Sequence, residues 1–178
     1  MGRRTALRRL VAPVPLLVAA CSMQSDWQEG SDPVMQLASP AGASCVAPSP
    51  SDTAAAVHAT NRDRASRGLQ PVRGSVILSA AAAAHACDMA THGRMTHKGS
   101  GSSGPAQRLK ARGYRPSITA ENIAAGPFDL GAALGAWSRS DNHRANILIP
   151  QLREVGIGYA VAPDGRTRFW AAVYAAPR

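Results

Sequence analysis

Position 21 decides how much of this chain is available to fold. Arg3, Arg4, Arg8 and Arg9 make a basic head, and an apolar stretch then runs from Leu10 through Ala20 to Cys21. That stretch is too short to span a membrane as a stable helix and carries Pro13 and Pro15, so residues 1–20 read as an export signal. One domain's worth of chain remains. The leader also removes part of an apparent charge signature. The formal net charge is +9, but four of the twenty Lys and Arg precede Cys21 and no acid does. Residues 21–178 therefore hold sixteen bases against eleven acids, or +5. An exported chain with this balance is not expected to bind nucleic acid; acidic envelope polymers or lipid head groups are the anions it would meet.

Val18-Ala19-Ala20-Cys21 resembles the lipobox of bacterial lipoproteins, in which the cysteine is lipidated and the chain is cut just before it. On that reading Cys21 is the lipidation site, a membrane is the first partner, and the domain faces the periplasm or the cell exterior. The alternative is an ordinary secretory signal with a chance cysteine. Residues 21–50, rich in Ser, Pro and Ala without a sustained period, read as a tether. Two other cysteines remain, Cys45 and Cys87. Disulfides persist outside the cytosol, so the two are expected to bridge, closing a loop of about 40 residues and stabilising the domain by roughly 3–4 kcal/mol. The alternative is a pair of buried thiols.

The folded part, residues 51–178, is expected to open with a helix capped by Ser51-Asp52 and running to about Arg67, where Gly68 stops it. Ala54, Val57, Asn61 and Ala65 recur along it at helical spacing. A second helix starts at Ser75, passes through the alanine run 80–84 and ends near His92 before Gly93. Its alanines predict close packing on a neighbour. The stretch Gly99-Ser100-Gly101-Ser102-Ser103-Gly104 reads as a mobile or ligand-facing loop; it lacks the Lys-Ser/Thr ending of a phosphate cradle. A short helix over 105–112, an extended segment over 118–125, and a helix capped by Asp129 with Leu130, Leu134 and Trp137 on one face follow. The chain finishes as a hairpin, with strands over 155–161 and 168–174 joined by Pro163-Asp164-Gly165. Helices first and a terminal antiparallel hairpin predict an α/β sandwich on a small, mostly antiparallel sheet.

Five segments carry a family resemblance. They are Asn61-Arg62-Asp63-Arg64 with Gly68-Leu69; Ala81-Ala82 with His85-Ala86-Cys87-Asp88-Met89-Ala90; Met95-Thr96-His97; Glu121-Asn122-Ile123-Ala124; and the run from Trp137 to Leu148, followed by Val155-Gly156-Ile157-Gly158. In this order and spacing they resemble the bacterial branch of the CAP superfamily (cysteine-rich secretory, antigen 5 and pathogenesis-related-1 proteins, or SCP-like domains) over about residues 52–176. The resemblance implies a three-layer α-β-α sandwich with a cleft lined by two histidines and two glutamates, whose histidines can hold zinc. His97, Glu121 and His143 match three of the four, and they are the candidate catalytic residues. The second glutamate falls three residues after the helix tryptophan, where this chain has Ser140. Asp141 or Glu154 would be the substitute carboxylate.

Read as chemistry, His97 and His143 offer two imidazole nitrogens to Zn2+, one ligand fewer than catalytic zinc sites normally take from protein, so modest affinity is expected. Glu121 would orient one imidazole or act as a base on bound water. The bland reading is that both histidines satisfy buried backbone groups. A Ser140-His143-Glu121 trio has thin support, because no Gly-x-Ser-x-Gly elbow is present. Asn61 and Arg64 are expected to hold the first helix to the cleft loops, Asn122 and Asn146 to tie irregular backbone, His85 to bond internally, and His58 and His92 to face solvent. Three function classes remain: a binding module for a lipid, envelope polymer or protein partner; a zinc-assisted, peptidase-like hydrolase; and a disulfide-stapled structural domain.

Overall fold

A computed structural model describes Gly2 and residues 42–178. The stretch read as an export signal, the expected lipidation site Cys21, and the expected tether as far as residue 41 lie outside the described residues. In chain order the elements are β1 (Ser44–Cys45), α1 (Pro50–Ala65), β2 (Arg73–Gly74), α2 (Val76–His92), α3 (Pro105–Lys110), β3 (Pro116–Gly126), α4 (Leu130–Arg139), α5 (Asp141–Ile147), β4 (Glu154–Val161) and β5 (Arg168–Pro177). The strands form one sheet in the order β1-β4-β5-β3, with β2 also paired to β4. β2 runs parallel to β4, and the other pairings are antiparallel.

The central strand β5 explains the three layers. Successive strand side chains point to opposite faces. Phe169, Ala171, Val173 and Ala175 enter one core with Leu78, Ala82, Ala86 and Met89 of α2. Trp170, Ala172 and Tyr174 enter a second core with Ala56 of α1, Trp137 of α4 and Ile147 of α5. Both faces are thus covered by helices, an α-β-α sandwich. On the α2 face β4 presents Gly156 and Gly158, and a Cβ at these positions would lie 2.1 Å from the Ser79 nitrogen and 2.4 Å from the Ala83 backbone. The alternating glycines of β4 are therefore the strand half of a close contact whose helix half is the alanine run.

Local signals place most boundaries. Ser75 occupies the N-cap position of α2 without a side-chain capping bond, and Gly93, at φ 61°, ends the helix in the left-handed conformation. Gly68 at φ 65° does the same after α1, with Leu69 N–H donating to the Arg64 carbonyl at 3.1 Å. The start of α1 differs from expectation. Its cap is Ser49, whose Oγ accepts from Asp52 N at 3.3 Å, because Pro50 suits the first helical position with its preset φ and missing N–H. β1 also brings residues 44–45 into the sheet ahead of Ser51. Cys45 and Cys87 form the expected disulfide, which ties β1 to α2.

The buried face of α1 is Ala56, Ala59, Thr60 and Arg64; of the residues at helical spacing, Val57 packs partly buried on the second core, while Ala54 and Ala65 are exposed. The Arg64 guanidinium is buried and donates to the carbonyls of Gln70, Ile147, Ile149, Pro150 and Leu152. The 99–104 segment is tied down by side chains outside it. Asp88 accepts from both the backbone and the hydroxyl of Ser100, Gln107 accepts from Ser103, and Arg108 donates to Ser102.

Candidate functional site

The site forms where β3 runs beneath the junction of α4 and α5. α4 stops at Arg139 and α5 begins at Asp141, with Ser140 extended between them (φ −87°, ψ 124°). Ser140 Oγ makes no capping bond; it lies 2.8 Å from His143 Nδ1. Three part-buried hydrogen bonds seat α5 on the strand. Asn122 donates to the His143 carbonyl at 3.0 Å, and Asn146 donates to the Glu121 carbonyl at 3.1 Å and to Asn122 Oδ1 at 2.9 Å. From the far side, Arg64 Nη1 donates to the carbonyl of Ile147 at 2.9 Å, at the end of α5. Asn61 holds Val72 by both its amide groups, at 2.8 and 2.9 Å. These asparagines and the arginine thus fix backbone, as their positions suggested.

His97 enters from the segment after α2. Its Nδ1 lies 2.9 Å from Glu121 Oε1, and Arg108 binds the other oxygen of Glu121. Arg108 also donates to the His97 carbonyl at 3.1 Å, so one guanidinium holds both the histidine's backbone and its carboxylate partner. An ionised carboxylate only accepts, so the hydrogen bond places the proton on Nδ1 of His97. His85 packs behind, 3.6 Å from Glu121 Oε1, and its Nε2 is 2.9 Å from the Thr96 carbonyl. Burial pushes the Glu121 carboxyl up, but the His97 hydrogen bond and the charges of His85 and Arg108 outweigh it and hold the group below its ordinary value. Burial foremost, and His97 after it, lowers the His143 imidazole, and both rings line one cleft.

A cleft of about 480 Å³ opens over these residues. Met95, Ile123, Phe128 and Trp137 give it an apolar wall, while His97, Ser140, Asn142, His143 and Asn146 supply its polar part. Trp137 is fixed by donating to the Ile123 carbonyl at 3.1 Å. Glu121 does not line the cleft; its side chain is 1% exposed and stands behind His97. Glu154, one of the two substitute carboxylates considered, is away from the cleft. It accepts from Arg73 at 2.7 Å and from the Tyr114 hydroxyl at 2.7 Å. Asp141 is exposed at the start of α5 and does not line the cleft either.

The Ser140-His143-Glu121 trio is not assembled. In an acyl-transfer triad the acid orients Nδ1 and the nucleophile sits at Nε2; here Ser140 occupies the Nδ1 side and Glu121 bonds His97 instead. Among the described residues no group of three or more His, Cys, Asp and Glu is placed to hold a metal ion. What the site offers a metal is the pair His97 and His143, with Glu121 as the carboxylate behind one of them. His85 bonds internally, and His58 and His92 are exposed, as expected. Arg108 was not legible as part of the site, because one arginine among many in a short amphipathic helix carries no signal of burial.

Comparison with known proteins agrees with this architecture. The profile described as "CAP: Cysteine-rich secretory protein family" matches residues 57–174. An uncharacterized protein of Bacillus subtilis (strain 168), YkwD, is 33% identical over 103 residues, which are 58% of this chain and 40% of that protein. Among solved structures, an outer surface protein of Borrelia burgdorferi superposes with a TM-score of 0.64 at 17% identity, covering 72% of this chain and 95% of the other. An extracellular protein of Bacillus anthracis containing an SCP domain superposes with a TM-score of 0.62 at 25% identity, over 70% of this chain and 40% of that one. The chain thus spans less than half the length of both Bacillus relatives. With the profile matching most of the sequence and the fold matching in turn, the chain belongs to the cysteine-rich secretory protein (CAP) family.

Proposed function

We propose that this protein is an exported, membrane-anchored binding module, held by a lipid on Cys21, whose cleft takes a ligand with an apolar body and one polar group. The observation that carries the reading is the lining of the cleft. An apolar wall of Met95, Ile123, Phe128 and Trp137 faces two imidazoles, and among the described residues no carboxylate lines it. Such a surface suits a lipid or another small apolar molecule oriented by a hydrogen bond at one end. Export is supported by the leader, and by relatives described as an extracellular and an outer surface protein. Anchoring is tested by metabolic labelling with a fatty acid, with label expected on the wild type and none on Cys21→Ala. Binding is tested by native mass spectrometry of the purified chain after exposure to a lipid extract. Bound small molecules that persist in His97→Ala are expected; a bare protein at every lipid concentration contradicts the reading.

A second reading is a zinc-assisted, peptidase-like hydrolase. The Glu121–His97 hydrogen bond favours it, because a carboxylate that fixes the Nδ1 proton directs the other imidazole nitrogen for ligation. His97 and His143 would hold the ion, which would supply Lewis acidity and a water of lowered pKa. Calorimetric titration with zinc, comparing wild type with His97→Ala/His143→Ala, tests it. Saturable one-to-one binding lost in the variant supports this reading, and identical heats in both proteins remove it.

A further inference from the structure

Between Met89 and Ala120 the sequence contains Arg94, Lys98, Arg108, Lys110, Arg112 and Arg115 and no acidic residue. Arg108 is consumed by Glu121. Two of the others meet a third cation, Arg178, around a concavity of about 460 Å³ lined by Lys110, Gly113, Tyr114, Arg115, Pro116 and Arg178. None of these residues lines the His97–His143 cleft. We propose that this concavity is a binding site for an anionic polymer of the cell envelope, one whose repeating charge is phosphate or carboxylate.

The framework that presents the three cations is fixed by backbone hydrogen bonds. Arg178 N–H donates to the Arg115 carbonyl at 2.9 Å, next to the Pro116–Pro177 pair that ends the β3–β5 ladder. Across the turn, Gly113 N–H donates to the Lys110 carbonyl at 3.0 Å, and Tyr114 N–H to Leu109 at 3.1 Å, with Gly113 at φ 76°. Beside the main-chain carboxylate of Arg178, which offsets one of the three cations, the only lining side chain that could bring in negative charge is Tyr114. Its hydroxyl is buried, donates to Glu154 and is pushed well above its ordinary value by burial and by that bond, so it stays neutral. Glu154 is in turn neutralised by Arg73. Among the described residues Lys110, Arg115 and Arg178 form no ion pair, and all three are exposed.

Like charges brought together without a counter-ion repel, and an anion that spans them gains from each. A polymer strand fits better than a membrane surface. The site is concave and its margin is cationic, whereas the exposed large apolar side chains, Val76 and Ile77, lie elsewhere, at the start of α2. Interfacial membrane binding draws on exposed apolar side chains as well as charge.

The test uses the full chain and three probes: long-chain polyphosphate, poly-L-glutamate and phosphatidylglycerol vesicles. Affinity is measured by calorimetry at low and at physiological salt for wild type and two triple variants. Lys110→Ala/Arg115→Ala/Arg178→Ala empties the site; Arg94→Ala/Arg139→Ala/Arg166→Ala removes the same charge from exposed positions elsewhere. Salt-sensitive binding of one or both polymers is expected, weakened roughly tenfold or more in the first triple and little changed in the second. Preference between the two polymers identifies phosphate or carboxylate as the recognised group. Equal losses in both triples would reduce the effect to net charge and overturn the proposal. So would binding to vesicles with neither polymer bound.

Discussion

Glu121 lies 2.9 Å from the Nδ1 of His97 and gives its other oxygen to Arg108, so the carboxylate of the Glu-Asn segment stands behind the cleft wall and acts on the cleft only through the histidine. The charge is buried and paired, and its removal leaves Arg108 without a counter-charge. Breaking a buried pair in this way costs about 3 kcal/mol or more. Glu121→Gln is expected to lose that much in urea unfolding at neutral pH. Because the folded carboxyl is held below its unfolded value of about 4.3, its contribution is present above that pH and disappears as pH falls through the folded value. The acid limb of the stability profile should therefore be shallower in Glu121→Gln than in wild type.

His85 contributes a separate, milder limb. Burial, against the pull of Glu121, lowers its folded value, and His143 is lowered as well. The unfolded chain then takes up protons first, so stability declines as pH falls below about 6.5. His85→Gln keeps a donor within reach of the Thr96 carbonyl and cannot titrate. Unfolding midpoints measured between pH 7.5 and pH 5 should fall less in this variant than in wild type; an unchanged slope contradicts the assignment.

Gly158→Ala tests the helix–sheet contact. A Cβ there meets the Ala83 backbone at 2.4 Å, where no side-chain rotation can relieve it, and a loss of about 2–3 kcal/mol is expected. Gly165→Ala, in the open hairpin turn at φ 67°, should lose only about 1 kcal/mol through its backbone conformation. Thermal denaturation of the two variants side by side checks the difference, and equal losses would contradict it.

The Cys45–Cys87 bridge closes a separation of 42 residues. In the chain-entropy account it stabilises the fold by roughly 3–4 kcal/mol. Protein made in an oxidising compartment should show no free thiol at these positions by non-reducing mass spectrometry, and Cys45→Ser/Cys87→Ser should unfold at correspondingly lower denaturant. Two alkylatable thiols would contradict the pairing.

How much of this was legible beforehand follows from where each signal lies. α2 and the β4–β5 hairpin were readable because caps, an alanine run and a Pro-Asp-Gly turn are local, and the alternating glycines of β4 point to the helix they touch. The buried face of α1 was not, because hydrophobic periodicity treats Arg64 as a solvent-facing residue, while its guanidinium is satisfied by carbonyls from residues 70 and 147–152. The bonds that tie the 99–104 loop to Asp88 and Arg108 are likewise not encoded in the composition of the loop itself. His97, Glu121 and His143 came from the family resemblance rather than from any local pattern. Their spacing could not reveal that Glu121 faces away from the cleft or that Ser140 engages the Nδ1 side of His143.

One titration shows whether the cleft holds an apolar ligand. The full chain is titrated with a fluorescent fatty acid whose emission rises in apolar surroundings, and wild type is compared with Ala136→Trp, which places a large ring on the cleft wall. Saturable binding to wild type, abolished in Ala136→Trp and retained in His97→Ala, is the predicted result. Binding that is absent from wild type, or identical in Ala136→Trp, would contradict the account.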